Sequence, residues 1–226
     1  MKASAKLCAV VPVKATGEAK QRLAAVLSRA QRRELALAML EDVLATLAAV
    51  SELAGMLVVT VDPAAASIAA RYAARVLRDG AEQGHTVAVA AAARRVAAED
   101  LAMLALPGDI PLVQPDDIRQ IIFAHRNAAD RERRGFTIVP ARDGRGSNAV
   151  LCAPAGAVPL AFGDDSFAPH LAAARARGIE PCVLRLPGIA LDVDTPEDLA
   201  LLMAAPARTR AHALLQHWRL EERVRA

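Results

Sequence analysis

Three carboxylates and three cations stand where apolar runs of this 226-residue chain give way to loops. The pair Asp192 and Asp194 lies in LDVD, a short segment that reads as extended. Side chains alternate with a period of two along an extended chain, so both carboxylates face the same way. Two like charges held together are unfavourable unless a cation sits between them. Magnesium suits the pair, because it takes few protein carboxylates and fills its octahedron with phosphate oxygens and water. Asp194 has an alternative duty as a cap for a helix opening at Thr195, whereas Asp192 has none. Asp109 ends the apolar run LAMLALPGD and is followed by Ile110-Pro111. It reads either as a third metal-facing carboxylate or as a local turn former.

The cations follow the run at residues 7–13, where AVVPVKATGEAKQRL (9–23) carries Lys14, Lys20 and Arg22 around a single glycine. The loop lacks the GxxxxGK[ST] of a phosphate loop and the glycine density of a dinucleotide fingerprint. Its charges can screen a polyphosphate from an attacking group, the alternative being a solvated surface loop. GRGSNA (144–149) does satisfy GxGxxA, yet NAVLCAPAGAVP continues it as a proline-broken strand and not as the helix that motif requires. Ser147 and Asn148 in this turn, and FGDDSF (162–167) at a helix start, are better suited to an anion. Cations for polyphosphate and carboxylates for one or two magnesium ions describe phosphoryl-type transfer, in which positioning and charge neutralisation do most of the work.

The elements that must position these residues alternate. Strands are expected at 7–13, 56–62, 74–79, 101–109, 136–141, 148–153 and 181–186, with 191–194 extended. Helices are expected from a Ser28/Gln31 capping box to about Val50, then at 64–73, 86–98, 115–127 and 166–178, after Thr195-Pro196, and from Ala207 to about Arg223. This alternation predicts an α/β fold with a mostly parallel sheet covered on both faces, whose ligands bind beyond the carboxyl ends of the strands. The irregular stretch 141–165 is expected to add a hairpin over one end of the sheet.

Composition narrows the partners. Hydrophobic residues make up 54% and aromatics only 3%, so the core is one of Leu, Val, Ile and Ala. No apolar run approaches the roughly 20 residues of a membrane span. MKASAKLCAVVPVK has too short an apolar run for a signal peptide, and Pro12 lies within it, so a cytoplasmic protein is expected. Cys8, Cys152 and Cys182 have no CxxC spacing and read as small buried hydrophobes, with no case for zinc. The net charge of +3, with RERR at 131–134, fits small anionic ligands; one Trp and one Tyr leave no stacking platform for single-stranded nucleic acid.

In this order, VPVK…AKQRL, LPGDIP, GSNAVL, FGDDSF and LDVDTPEDL resemble the CofC/FbiD family of guanylyltransferases, over about residues 8–203. The resemblance implies a single-domain Rossmann-like, GT-A-like nucleotidyltransferase, a three-layer sandwich with a mixed, mostly parallel sheet. Residues 1–205 would form it, and 206–226 a C-terminal helix packed on the same domain or used for homodimerisation. Such enzymes move GMP from GTP to 2-phospho-L-lactate, phosphoenolpyruvate or 3-phospho-D-glycerate and release pyrophosphate, in coenzyme F-420 biosynthesis beside a downstream transferase.

Carried onto this chain, the resemblance makes Asp109, Asp192 and Asp194 the magnesium ligands and puts Lys14, Lys20 and Arg22 on the GTP phosphates. Lys20 and Asp109 become the catalytic pair, while Ser147, Gly163 and Ser166 hold the acceptor. Gly84 and His85 fall at the nucleobase. There Gly84-His85-Thr86 departs from the family's Asn-containing loop, with His85 left as a donor to a guanine carbonyl. A molybdopterin or sugar-type nucleotidyltransferase, and a non-catalytic nucleotide-binding protein, are the alternatives. An ionised phosphate acceptor, whose second pKa is about 6, requires no general base.

Overall fold

The computed structural model describes residues 6–130, 134–163, 165–206 and 208–220. Most of the basic 131–134 run, Asp164, and the predicted end of the last helix lie outside them. The first strand, β1 (Leu7–Pro12), is buried at every position, which explains why it reads as an unbroken apolar run. Its side chains part by alternation. Ala9 and Val11 face Leu40 and Leu44 of α1 (Arg29–Ala48), whereas Cys8 and Val10 face Val89 and Val96 of α3 (His85–Ala97).

The remaining strands are β2 (Leu53–Val59), β3 (Arg75–Leu77), β4 (Ala102–Ala105), β5 (Gly135–Pro140), β6 (Ser147–Ala153) and β7 (Cys182–Val183). Among the described residues they form one sheet in the order β3-β2-β1-β4-β6-β5-β7. Only β6 runs against the rest, pairing antiparallel with both β4 and β5. Helices α1, α2 (Pro63–Arg71) and α4 (Pro115–Ala128) cover one face; α3 and α5 (Phe167–Ala176) cover the other. The expected three-layer α/β sandwich is therefore present. The order turns at β1, from which the chain proceeds first to β2 and later to β4 on the opposite side. Such a reversal opens a crevice at the carboxyl ends of β1 and β4.

One expectation needs correcting. The segment 141–165 does not add a hairpin over an end of the sheet, because β6 is inserted into its middle, with Leu151 opposite both Leu104 and Thr137. SNAVLCA is buried almost throughout, as a central strand covered on both faces must be. Strand β4 also ends sooner than predicted, at Ala105, which leaves Leu106–Asp109 as loop.

The Ser28/Gln31 capping box predicted from sequence is formed, and the expected helix start at Thr195 is the N-cap of α7 (Pro196–Ala204), in a box that Asp198 completes. A four-residue helix, α6 (Pro187–Ala190), precedes the LDVD segment. The last helix, α8 (Arg210–His217), rests on α1 and α7 through Ala211, Leu215, Leu35, Met39, Leu199 and Leu202. The Asp42 carboxylate fixes its start by accepting from the backbone N–H groups of Arg210 (2.9 Å) and Ala211 (3.0 Å). A carboxylate at a helix N-terminus also complements the dipole.

Between α4 and β5, His125 lies against Gly135, where an added Cβ would come within 2.8 Å of the ring. Its Nδ1 meets Thr137 Oγ1 at 3.0 Å, and burial pushes the imidazole down to about 4. The unfolded chain therefore binds a proton near pH 6.5 that the folded chain refuses until about pH 4, so this contribution to stability is lost as pH falls through that window. Urea unfolding of the wild type and His125→Gln at pH 7 and pH 5 checks this. The wild type should lose more stability on acidification than the variant, by at most about 1.4 kcal/mol per pH unit.

Candidate active site

The loop after β1 is held by a carboxylate that the sequence assigned only to a strand end. Asp62 accepts from Ala64 N–H (2.8 Å) and Ala65 N–H (3.2 Å) through Oδ1, capping α2. Through Oδ2 it accepts from Thr16 N–H (2.8 Å) and Thr16 Oγ (2.5 Å). Burial alone would raise its pKa, but these bonds hold it below the usual carboxylate range. Arg29 donates to Gly17 O (2.9 Å) and Arg32 to Ala19 O (3.3 Å), tying the loop to α1.

The pinned loop delivers Lys20, whose backbone is left-handed (φ 55°, ψ 46°), a conformation few non-glycine residues adopt. Its ammonium reaches Asp109 Oδ2 at 2.5 Å and Asp194 Oδ1 at 2.7 Å, with only 7% of the side chain exposed. Burial alone would lower the lysine's pKa; the charges of Asp109 and Asp194 outweigh it, and the net shift is upward. One ammonium thus joins the loops after β1 and β4 to the segment that precedes α7, reinforced by a backbone bond from Val193 N–H to Asp109 O (3.0 Å). Backbone strain kept at such a point is a mark of function.

Asp194 does not cap α7. Thr195 Oγ does so, accepting from Asp198 N–H (3.3 Å), while Asp198 Oδ2 reaches back to Thr195 N–H (2.9 Å) and Asp194 N–H (3.2 Å), which leaves the Asp194 side chain to Lys20. Asp192 accepts from Asn148 Nδ2 at 2.9 Å, and the same amide lies within 3.0 Å of Ile189 O and 3.1 Å of Ala190 O. Asn148, expected to help bind an anion, has its side chain committed to the LDVD segment instead. Burial raises the pKa of Asp192, with the charges of Asp109 and Asp194 adding to the effect against the Asn148 bond.

Opposite, Ser147 at the start of β6 and Ser166 before α5 bring their hydroxyls to 3.2 Å. His85 opens α3 after Gly84 (φ 96°) and packs against Phe162, the rings tilted by 55° at 4.6 Å between centroids. Burial pushes His85 down to about 4, leaving a neutral ring. Thr86 Oγ exchanges hydrogen bonds with Phe162, accepting from its N–H (2.9 Å) and donating to its carbonyl (3.2 Å). That clamp joins the Gly84–Thr86 turn to the loop bearing Gly163.

All the predicted site residues line one cleft of about 1090 Å³: Lys14, Lys20, Arg22, Gly84, His85, Asp109, Ser147, Gly163, Ser166, Asp192 and Asp194. The donor set fits a divalent cation. Asp109 Oδ1 is buried without a hydrogen-bond partner, and an ammonium already occupies the space between two carboxylates. Among the described residues no three His, Cys, Asp or Glu side chains are grouped so as to hold a metal ion by themselves. An ion that shares its shell with phosphate oxygens and water does not need such a group.

Comparison with known proteins places the chain in a family. The model of the family described as "Guanylyl transferase CofC like" matches residues 7–225. The chain belongs to that family. A phosphoenolpyruvate guanylyltransferase from Roseiflexus castenholzii is 36% identical over 219 residues, covering 97% of this chain and 98% of the relative. Another from Conexibacter woesei is 39% identical, covering 91% of each chain. A solved structure described as a nucleotide-diphospho-sugar transferase from Desulfovibrio desulfuricans G20 superimposes with a TM-score of 0.74 at 18% identity, covering 97% of this chain and 98% of that one. A 4-diphosphocytidyl-2C-methyl-D-erythritol synthase gives 0.61 at 18% identity, over 88% of this chain and 98% of the other. These two show the nucleotidyltransferase fold. As a CofC-family member the chain is a guanylyltransferase, an activity that implies GTP as substrate. No described helix is long and apolar enough to cross a membrane.

Sequence reasoning missed Asp62, Thr86 and His170, because their partners lie 46, 76 and 23 residues away and no local pattern signals them. The role of Lys20 as internal counter-cation yields a test. Lys20→Met should melt at a lower temperature than wild type in chelator, and millimolar magnesium should raise its melting temperature more than that of wild type. No rise in the variant would mean that the carboxylates take no divalent ion, and an equal rise in both that the ion does not compete with the ammonium.

Proposed function

We propose that this chain transfers GMP from GTP to phosphoenolpyruvate with magnesium bound, releasing pyrophosphate, as a step of coenzyme F-420 assembly. The observation that carries the reading is the convergence of cations, carboxylates and the paired serines on one cleft. The choice of acceptor is supported by the names of relatives that are 36–39% identical over more than nine-tenths of the chain.

On this reading Lys14, Lys20 and Arg22 meet the triphosphate, and Lys20 remains protonated throughout the working pH range because its carboxylate neighbours raise its pKa. Asp109, Asp192 and Asp194 hold magnesium, which supplies charge neutralisation to the phosphates when bound. His85, neutral and packed against Phe162, presents an N–H donor to the base. Ser147, Gly163 and Ser166 hold the acceptor's phosphate.

An acceptor phosphate oxygen attacks the α-phosphorus of GTP, forming the new P–O bond. The bond from that phosphorus to the oxygen bridging to the β-phosphate breaks, and pyrophosphate leaves with its electrons. The acceptor's second pKa is about 6, so near neutrality no proton need be removed and no base is required. Repulsion between two polyanions is the obstacle, and the fixed cations relieve it.

Pyrophosphate release from GTP and magnesium, with phosphoenolpyruvate, 2-phospho-L-lactate and 3-phospho-D-glycerate offered separately, tests the proposal. The downstream transferase and its deazaflavin acceptor are included to trap labile product. Phosphoenolpyruvate should support the fastest release; release with another acceptor and none with it would overturn the assignment. Asp109→Asn and Asp192→Asn should each lower kcat by about 100-fold or more, as losses of electrostatic stabilisation do. Near-wild-type rates in both would remove the metal assignment.

A further inference from the structure

A buried imidazole touches the cleft's lining without itself reaching the cleft. His170, on α5, is 1% exposed. Its Nε2 lies 3.0 Å from the backbone nitrogen of Ala161, and its Nδ1 lies 3.0 Å from Ser147 Oγ. A backbone N–H can only donate, so Nε2 is the accepting, unprotonated nitrogen. The proton of the neutral ring then sits on Nδ1 and is donated to Ser147 Oγ. Phe162 and Phe136 hold the ring, at centroid distances of 5.0 and 6.4 Å. Burial pushes the imidazole down to about 4, in keeping with a neutral ring.

Counting protons gives the consequence. Ser147 and Ser166 have two hydroxyl protons between them, and one bridges their 3.2 Å contact whichever serine donates. Because His170 gives a proton to this pair and takes none, one hydroxyl proton is left over, and both serines line the cleft. With the opposite tautomer Ser147 would donate to His170 and Ser166 to Ser147. No proton would then remain for a ligand, and the pair would offer only lone pairs.

We propose that His170 is a positioning residue for the acceptor: its fixed Nδ1–H tautomer turns the Ser147–Ser166 pair into an obligate hydrogen-bond donor to an ionised phosphate oxygen. The inference rests on the acceptor reading of these serines given above. An ionised phosphate oxygen is the stronger partner for such a donor, because hydrogen bonds to charged acceptors exceed neutral ones.

The tautomer is tested directly, without turnover, on protein labelled with ¹⁵N-histidine. The chain has five histidines, and the His170 signals are those missing from His170→Phe. At pH 7 they should show a neutral ring protonated on Nδ1; a proton on Nε2, or an imidazolium, overturns the proposal. The kinetic arm compares KM values in the pyrophosphate assay. His170→Phe keeps a ring but no donor, so the spare hydroxyl proton is no longer obliged to face the cleft; the KM for phosphoenolpyruvate should rise about tenfold or more while the KM for GTP stays within about twofold. His170→Asn, which restores an N–H near the Nδ1 position, should recover most of the loss.

Equal rises in both KM values, or no recovery with Asn, would mean a merely structural role. If the Phe variant fails to fold, signal assignment and the kinetic comparison pass to the Asn variant, which should then keep a near-wild-type KM for phosphoenolpyruvate. Silence of the wild type with phosphoenolpyruvate would defeat the acceptor reading separately. Titration with inorganic phosphate then decides: the His170 Nδ1–H signal should shift on phosphate binding, and its constancy overturns the donor pair.

Discussion

A positive charge taken out of water must be matched, and in this chain the match is made between segments far apart in sequence. The Lys20 ammonium comes from the loop after β1, Asp109 from the loop after β4, and Asp194 from the segment before α7. None of the three is stable in its position without the others: a buried lysine alone would tend to lose its proton, and two carboxylates alone would repel. The left-handed backbone at Lys20 and the Asp62 anchor on Thr16 follow from the need to bring one ammonium to that place. Charge compensation, more than packing, sets where the three loops meet.

Much of the fold was legible because the relevant signals are local. The apolar runs of β1 and β4, the capping boxes at Ser28 and Thr195, and Pro at helix starts are written within a few residues. The location of the cleft was legible too, since an alternating α/β chain places its ligands beyond the strand ends. What could not be read was pairing between distant segments. Nothing in SNAVLCA distinguishes a strand of a surface hairpin from one threaded between β4 and β5. The apolar character of the strand fits burial on both faces, but direction in a sheet is decided by neighbours that a single segment does not reveal.

The same limit applies to side chains. Asn148 was noticed for its place in a glycine-rich turn, yet its amide is turned to Asp192, 44 residues on. Asp194 is suited to capping α7 by proximity, yet Thr195 is the cap, and Asp198, the third residue of the helix, reaches back to it. His170 drew no notice, since a histidine in an alanine-rich helix carries no mark of the contacts made above it. Residue type was sufficient to nominate groups that carry charge into the cleft. It was insufficient for the groups that orient them.

The reversed direction of β6 has a consequence for how the cleft is divided. In a purely parallel sheet only the finishing ends of strands look into the crevice, so every ligand would be served by loops of one kind. Here β1 and β4 arrive finishing, with cations and a carboxylate, while β6 arrives beginning, with Ser147 as its first residue. The two halves of the cleft are thus fed by chain running in opposite senses. The turn between Pro140 and Ser147 rims the serine side, and its Arg142 reaches Asp198 (2.9 Å), whose other oxygen accepts from Asp194 N–H. Reshaping that turn would alter the entrance for one reactant and, through Arg142, the support of the carboxylate side. A change of partner molecule is therefore mechanically coupled to the charged centre in this architecture.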